Sequence, residues 1–126
     1  MKNRLLSFML IIAAGCNSTL EDPDSLPADK TLQLSADLTS IPSGGGGKTL
    51  VLARVPKEAG LLDITFTATA GLFREANNKT VKDLTDSLVS DYRYASAVLV
   101  SDATKGTVYI TAEAKTSRVR ITVTFN

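Results

Sequence analysis

Gly106-Thr-Val-Tyr-Ile-Thr-Ala-Glu-Ala114 and Arg118-Val-Arg-Ile-Thr-Val-Thr-Phe125 alternate apolar and polar side chains one by one. Successive side chains of a strand point to opposite faces, so a period of two marks a half-buried sheet. Val108, Ile110, Ala112 and Ala114 share one face of the first segment. Val119, Ile121, Val123 and Phe125 share one face of the second, and Arg118 and Arg120 face water. Thr116-Ser117 reads as the tight reversal between them.

The same period runs back through the chain. Leu32, Leu34 and Ala36 alternate with Gln33 and Ser35, and Thr49, Val51, Ala53 and Val55 share a face. Ile64, Phe66 and Ala68 form another stripe that ends at Gly71, and Ala95, Ala97 and Leu99 form one that ends at Ser101-Asp102. Gly44-Gly45-Gly46-Gly47 and Pro56-Lys57-Glu58-Ala59-Gly60 are breaks that neither helix nor strand interior would hold. Thr65, Thr67, Thr107, Thr111, Thr122 and Thr124 fall on the outward faces, where β-branched residues suit a pleated surface. Short strands at regular spacing predict an all-β, immunoglobulin-like antiparallel sandwich of about seven strands over residues 30–126. The segment from Ala76 to Arg93 stays open. Thr80 with Asp83 has the form of a capping box, and Val81, Leu84 and Leu88 have helical spacing. An extended crossover with at most a helical turn is the favoured reading.

The first 29 residues are of another kind. Lys2 and Arg4 precede an apolar stretch from Leu5 to Ile12, then Ala13-Ala14-Gly15-Cys16. A bilayer span needs about 20 apolar residues, so this stretch is too short and reads as a cleaved signal over residues 1–15. It resembles a bacterial lipoprotein signal. That resemblance implies lipid on the Cys16 thiol, a membrane partner through that lipid, and an outer-membrane location at the cell surface or periplasmic face. Residues 16–29 hold Pro23, Pro27 and several acids, which suits a flexible tether.

Composition narrows the chemistry. The net charge is +1, there is no histidine, and Cys16 is the sole cysteine. No basic stripe invites nucleic acid. Zinc, copper and haem lack their usual ligands, and no Ser-His or Cys-His pair exists. The expectation is a non-enzymatic chain with no cofactor and no metal.

Leu32-Gln-Leu-Ser-Ala-Asp-Leu-Thr-Ser-Ile-Pro-Ser-Gly-Gly-Gly46, Ile64-Thr-Phe-Thr-Ala-Thr-Ala-Gly71 and Val98-Leu-Val-Ser-Asp102 carry a further resemblance. They are similar to the group 1 bacterial immunoglobulin-like domains, the repeats of invasin- and intimin-type adhesins. The resemblance implies the sandwich fold and an extracytoplasmic setting. Those domains usually stand in tandem, whereas this chain shows no internal repeat.

Several residues are candidates for contact with a partner. Leu50, Leu52 and Arg54 lie opposite the Val51 and Ala53 face, and Tyr92 and Tyr94 flank Arg93. Together they make a candidate interaction surface for an envelope or host protein or a glycan. Cover by the 76–93 crossover is the competing reading. Ser25 and Ser87, each in an Asp-Ser-Leu triplet, are candidate O-glycosylation sites. Asp83, Asp86, Asp91 and Asp102 fit no calcium-loop spacing. Pro42-Ser-Gly-Gly-Gly-Gly-Lys-Thr49 approaches a phosphate-binding loop, but position 42 is proline and a strand follows where that loop needs a helix. A connecting loop is the better reading, with no nucleotide. The functional expectation is a lipid-anchored adhesion or interaction module. Its alternative is a passive spacer or subunit of a larger envelope assembly, with no ligand of its own.

Overall fold

A computed structural model describes residues 31–126. The signal, the tether, Cys16, Ser25 and the first residue of the expected domain lie outside the described residues. Among the described residues ten strands form two sheets, where the sequence predicts about seven. They are β1 (Gln33–Ala36), β2 (Ser40–Ile41), β3 (Lys48–Pro56), β4 (Asp63–Ala68), β5 (Leu72–Phe73), β6 (Thr80–Leu84), β7 (Ser87–Val89), β8 (Tyr92–Val100), β9 (Gly106–Ala114) and β10 (Ser117–Phe125). The extra strands are two to five residues long, too short for periodicity to show. One sheet has the order β2-β10-β9-β4-β6, and the other β1-β3-β8-β5 with β7 beside β8.

The closing hairpin pairs Gly106 with Phe125 through to Ala114 with Ser117. The reversal is therefore Lys115-Thr116, one residue earlier than the sequence suggests. Lys115 takes φ 52° there, a left-handed conformation suited to a two-residue hairpin turn.

Both sheets turn their apolar stripes inward. Val51, Ala53 and Val55 of β3, Ala95, Ala97 and Leu99 of β8, and Ile64, Phe66 and Ala68 of β4 are buried. Val108, Ile110, Ala112 and Ala114 of β9 and Val123 and Phe125 of β10 complete the layer. The alanines of β8 and β9 take little of the inter-sheet space, which leaves room for the phenylalanines. Phe66 and Phe73 meet with ring centroids 6.1 Å apart and planes tilted by 47°.

The segment from Ala76 to Arg93 is extended, not helical. Asn77, at φ 50°, turns the chain after β5, and β6 then joins the opposite sheet beside β4. β7 returns to the edge of β8. The Thr80 and Asp83 pair caps no helix. Asp83 instead accepts a hydrogen bond from the Ser96 amide at 2.9 Å, and Glu75 accepts from Val98 at 3.0 Å. These carboxylates fill the gap on the β8 edge between β5 and β7, where backbone donors would otherwise lack partners.

Two further aspartates organise the strand connections. Between β1 and β2 the chain changes sheets, and Asp37 Oδ1 lies 2.8 Å from both the Thr49 hydroxyl and the Leu50 amide. At the far end of β8, Asp102 accepts from the Gly71 amide at 3.0 Å and the Thr104 amide at 2.9 Å. Hydrogen bonds to the charged form hold both carboxyls below their ordinary value. For Asp37 the Thr49 hydroxyl is the main cause, and for Asp102 the Gly71 amide.

Gly71 has φ +79°, and a Cβ there would lie 2.6 Å from the Val100 carbonyl and 3.1 Å from Phe125 Cζ. Gly71→Ala is expected to cost about 2–4 kcal/mol of stability in urea denaturation, by backbone strain and overpacking. Gly46→Ala, with open space around its Cβ, should stay within about 0.5 kcal/mol.

The lowered carboxyls set a pH dependence. Because Asp37 and Asp102 titrate below the ordinary 3.8 in the folded state, their contribution is complete above the unfolded value and lost as pH falls through the folded one. The urea midpoint should therefore drop between about pH 5 and about pH 2. That drop should be smaller in the Asp37→Asn, Asp102→Asn double variant than in the wild type.

Candidate binding face

Alternation along β3 sends Leu50, Leu52, Arg54 and Pro56 to the outside of the four-stranded path, since Thr49, Val51, Ala53 and Val55 point inward. On β8 the outward set is Tyr92, Tyr94, Ser96, Val98 and Val100. The register joins them into rows. Gln33, Arg54, Tyr94 and Ser87 lie side by side across four strands, and Ser35, Leu52 and Ser96 form the next row. Leu50 lies opposite Val98 and is 41% exposed. The 76–93 segment runs along the edge of this sheet and into the other one, so it does not roof the face.

Of the six residues named from the sequence, the structure brings Leu50, Leu52, Arg54, Tyr92 and Tyr94 onto this face. Arg93 is placed on the other side of β8, with Ala95 and Ala97, because side chains alternate along the strand. It lies opposite Val55 and Leu88, and its Nε is buried without a hydrogen-bond partner.

Arg54 is held in place from two sides. Its Nε donates to Gln33 Oε1 at 2.6 Å, and its guanidinium lies 4.2 Å from the Tyr92 ring centroid. Stacking on an aromatic face suits a planar guanidinium. Two shallow grooves flank the Leu52–Tyr94 ridge. One, of about 430 Å³, reaches Asp83, Asp86, Ser87 and Ser96. The other, of about 330 Å³, reaches Gln33, Ser35 and Arg54. The sequence reading missed Gln33, Asp83 and Ser96 here, although the alternation places Gln33 and Ser96 outward.

The remaining candidates separate. Asp91 pairs with Lys57 at 3.6 Å, Asp102 sits at the far end of β8, and Asp83 and Asp86 line the groove. Among the described residues no group of three acids, histidines or cysteines could hold a metal ion. Ser87 is exposed on β7. The glycine-rich loop has its amides engaged by protein: Gly45 and Gly47 both donate to Ser101 Oγ at 3.2 Å, and Gly44 donates to the Asp102 carbonyl at 2.6 Å. It leads into β3, so it connects strands and cradles no phosphate.

No family model matches the chain, and no curated protein does. Among solved structures, the chain is similar to a glycosyl hydrolase family 2 member from Bacteroides cellulosilyticus DSM 14838. That match has 17% identity and a TM-score of 0.58 over 74% of this chain and 14% of the other. A second crystal structure, of a family 2 member from Bacteroides cellulosilyticus, matches at 20% identity and a TM-score of 0.55. It covers 75% of this chain and 14% of that one. At such identity the likeness establishes the fold. This chain thus corresponds in extent to a small part of those proteins.

These matches correct three expectations. The resemblance to group 1 bacterial immunoglobulin-like domains is not upheld, since no family model supports it and the matched sandwiches belong to glycosyl hydrolase chains. Its motifs are strand alternation and a glycine loop, which unrelated sandwiches also need. The invasin-like, lipoprotein character falls with it. So does the lipid-anchored outer-membrane location, which rested on residues outside those described, while the matched chains are named as members of a glycosyl hydrolase family. Among the described residues, no helix is long and apolar enough to cross a membrane.

Proposed function

We propose that the chain is a non-catalytic, immunoglobulin-like sandwich that serves as a module or subunit within a larger carbohydrate-handling protein or assembly. The observation that carries this reading is the extent of the fold match: three quarters of this chain superposes on one seventh of a multi-part glycosyl hydrolase chain. A sandwich of this size recurs there as a minor part of a much larger protein. The immunoglobulin-like assignment draws on the leading strand, which divides between the two sheets as β1 beside β3 and β2 parallel to β10. A spacer or subunit fits the geometry better than an independent adhesin. The strand edge at Ser96 and Val98 is closed by side chains, which leaves no free ladder there for a partner strand.

The test is hydrolysis. The full chain, incubated with aryl glycosides and with neutral oligosaccharides, is expected to release product no faster than buffer. Turnover that disappears in the Asp83→Asn, Asp86→Asn double variant would overturn the reading. Those are the two carboxylates that share a groove.

A further inference from the structure

We infer that the paired grooves across the Leu52–Tyr94 ridge form a binding site for a neutral saccharide chain. The inference deepens the module reading and rests on it, because it gives the module a ligand but no chemistry. The lining combines two features that seldom suit one other ligand class. Leu52, Val89 and the Tyr94 ring offer apolar surface, while Asp83, Asp86, Ser87 and Ser96 offer hydrogen-bonding groups on one side. Gln33, Ser35 and Arg54 offer them on the other. A sugar ring has an apolar C–H face and a rim of hydroxyls that both donate and accept. It can lie on Tyr94 and Leu52, donate to the carboxylates and accept from Arg54 and the serines.

The competing ligands fit less well. An anion would meet Asp83 and Asp86 in the larger groove, at an electrostatic cost. A metal ion would find too few ligands among the described residues. An apolar peptide would desolvate Asp83, Asp86 and Arg54 without supplying hydrogen bonds to their remaining positions, which costs free energy for each. An added strand would need the free amides on the β8 edge, and those of Ser96 and Val98 already donate to Asp83 and Glu75.

The arrangement is also prepared in advance. Asp83 is fixed by the Ser96 amide, and Arg54 by Gln33 and the Tyr92 ring. A ligand therefore orders few side chains on binding, which lowers the cost of association. The two grooves meet at one ridge and are open at the surface, so they suit a chain of sugars passing across the strands rather than one enclosed ring.

The experiment is a titration of the isotope-labelled full chain with cellohexaose, laminarihexaose, xylohexaose, mannohexaose and maltohexaose, read by amide chemical shifts. At least one is expected to bind with a Kd at or below about 1 mM and to shift the amides of Leu52, Tyr94 and Ser96. Tyr94→Ala should weaken that binding about tenfold. Tyr109→Ala, on the opposite sheet, should leave it unchanged. No shift with any of the five, or shifts confined to the other sheet, would overturn the inference. So would unchanged binding in a folded Tyr94→Ala variant. Should that variant not fold, the wild-type shift map decides alone. Absence of saccharide binding with no turnover removes the site and leaves the module reading standing, whereas turnover lost in the Asp83→Asn, Asp86→Asn variant removes the module reading.

Discussion

Phe66, Phe73 and Phe125 fill the space between two sheets that no disulfide links, since the described residues hold no cysteine. A small domain of this kind stands on its apolar layer, and that layer has to be dry and closely packed. The constraint reaches outward from there. Alanine at positions 53, 95, 97, 112 and 114 keeps the sheets close, and glycine at 71 lets the turn between β4 and β5 pass against Phe125 and the Val100 carbonyl. Inward faces are so fully committed to packing that any specific chemistry must sit on the outward faces or at the ends.

At the ends, backbone groups that leave the sheets are met by short polar side chains. Ser101 and Asp102 together engage Gly44, Gly45, Gly47 and Gly71, and so tie three connections to one point. Thr85 does the same for Leu62 at the other end, from a fully buried position. Along the β8 edge, Asp83 and Glu75 replace the missing strand. These contacts give hydrogen-bond partners to backbone amides that the ladders leave unpaired.

Much of this was legible in the sequence, and the limits are physical. Long strands with full alternation, such as β3, β8, β9 and β10, declare their faces because burial on one side forces a period of two. The outward position of Leu50, Leu52, Arg54, Tyr92 and Tyr94 follows from the same rule. Adjacency groups Arg93 with them, although alternation puts it on the other side of β8 from its tyrosine neighbours. β5, β6 and β7 stayed hidden because two to five residues carry no usable period. The Thr80 and Asp83 pair imitates a helix cap, yet tertiary pairing with β4 outweighs a local signal of that size. Gln33 holding Arg54, and Asp83 holding Ser96, join residues 21 and 13 positions apart. No local pattern encodes such contacts. The family resemblance erred for a related reason, because its motifs follow from strand and turn requirements that many sandwiches share.

On the outer face of β1, β3, β8 and β7, aromatic, charged and hydroxyl side chains stand together in rows beside two grooves. Its openness is the claim on which the functional account depends. Hydroxyl-radical footprinting of the free, full-length chain measures it directly. The account predicts that Leu50, Tyr92 and Tyr94 are labelled at rates of the same order as Tyr109, which is 39% exposed on the opposite sheet, while Phe66 and Phe73 stay unlabelled. Protection of Tyr92 and Tyr94 to the level of Phe66 would show the face to be covered and would contradict the account.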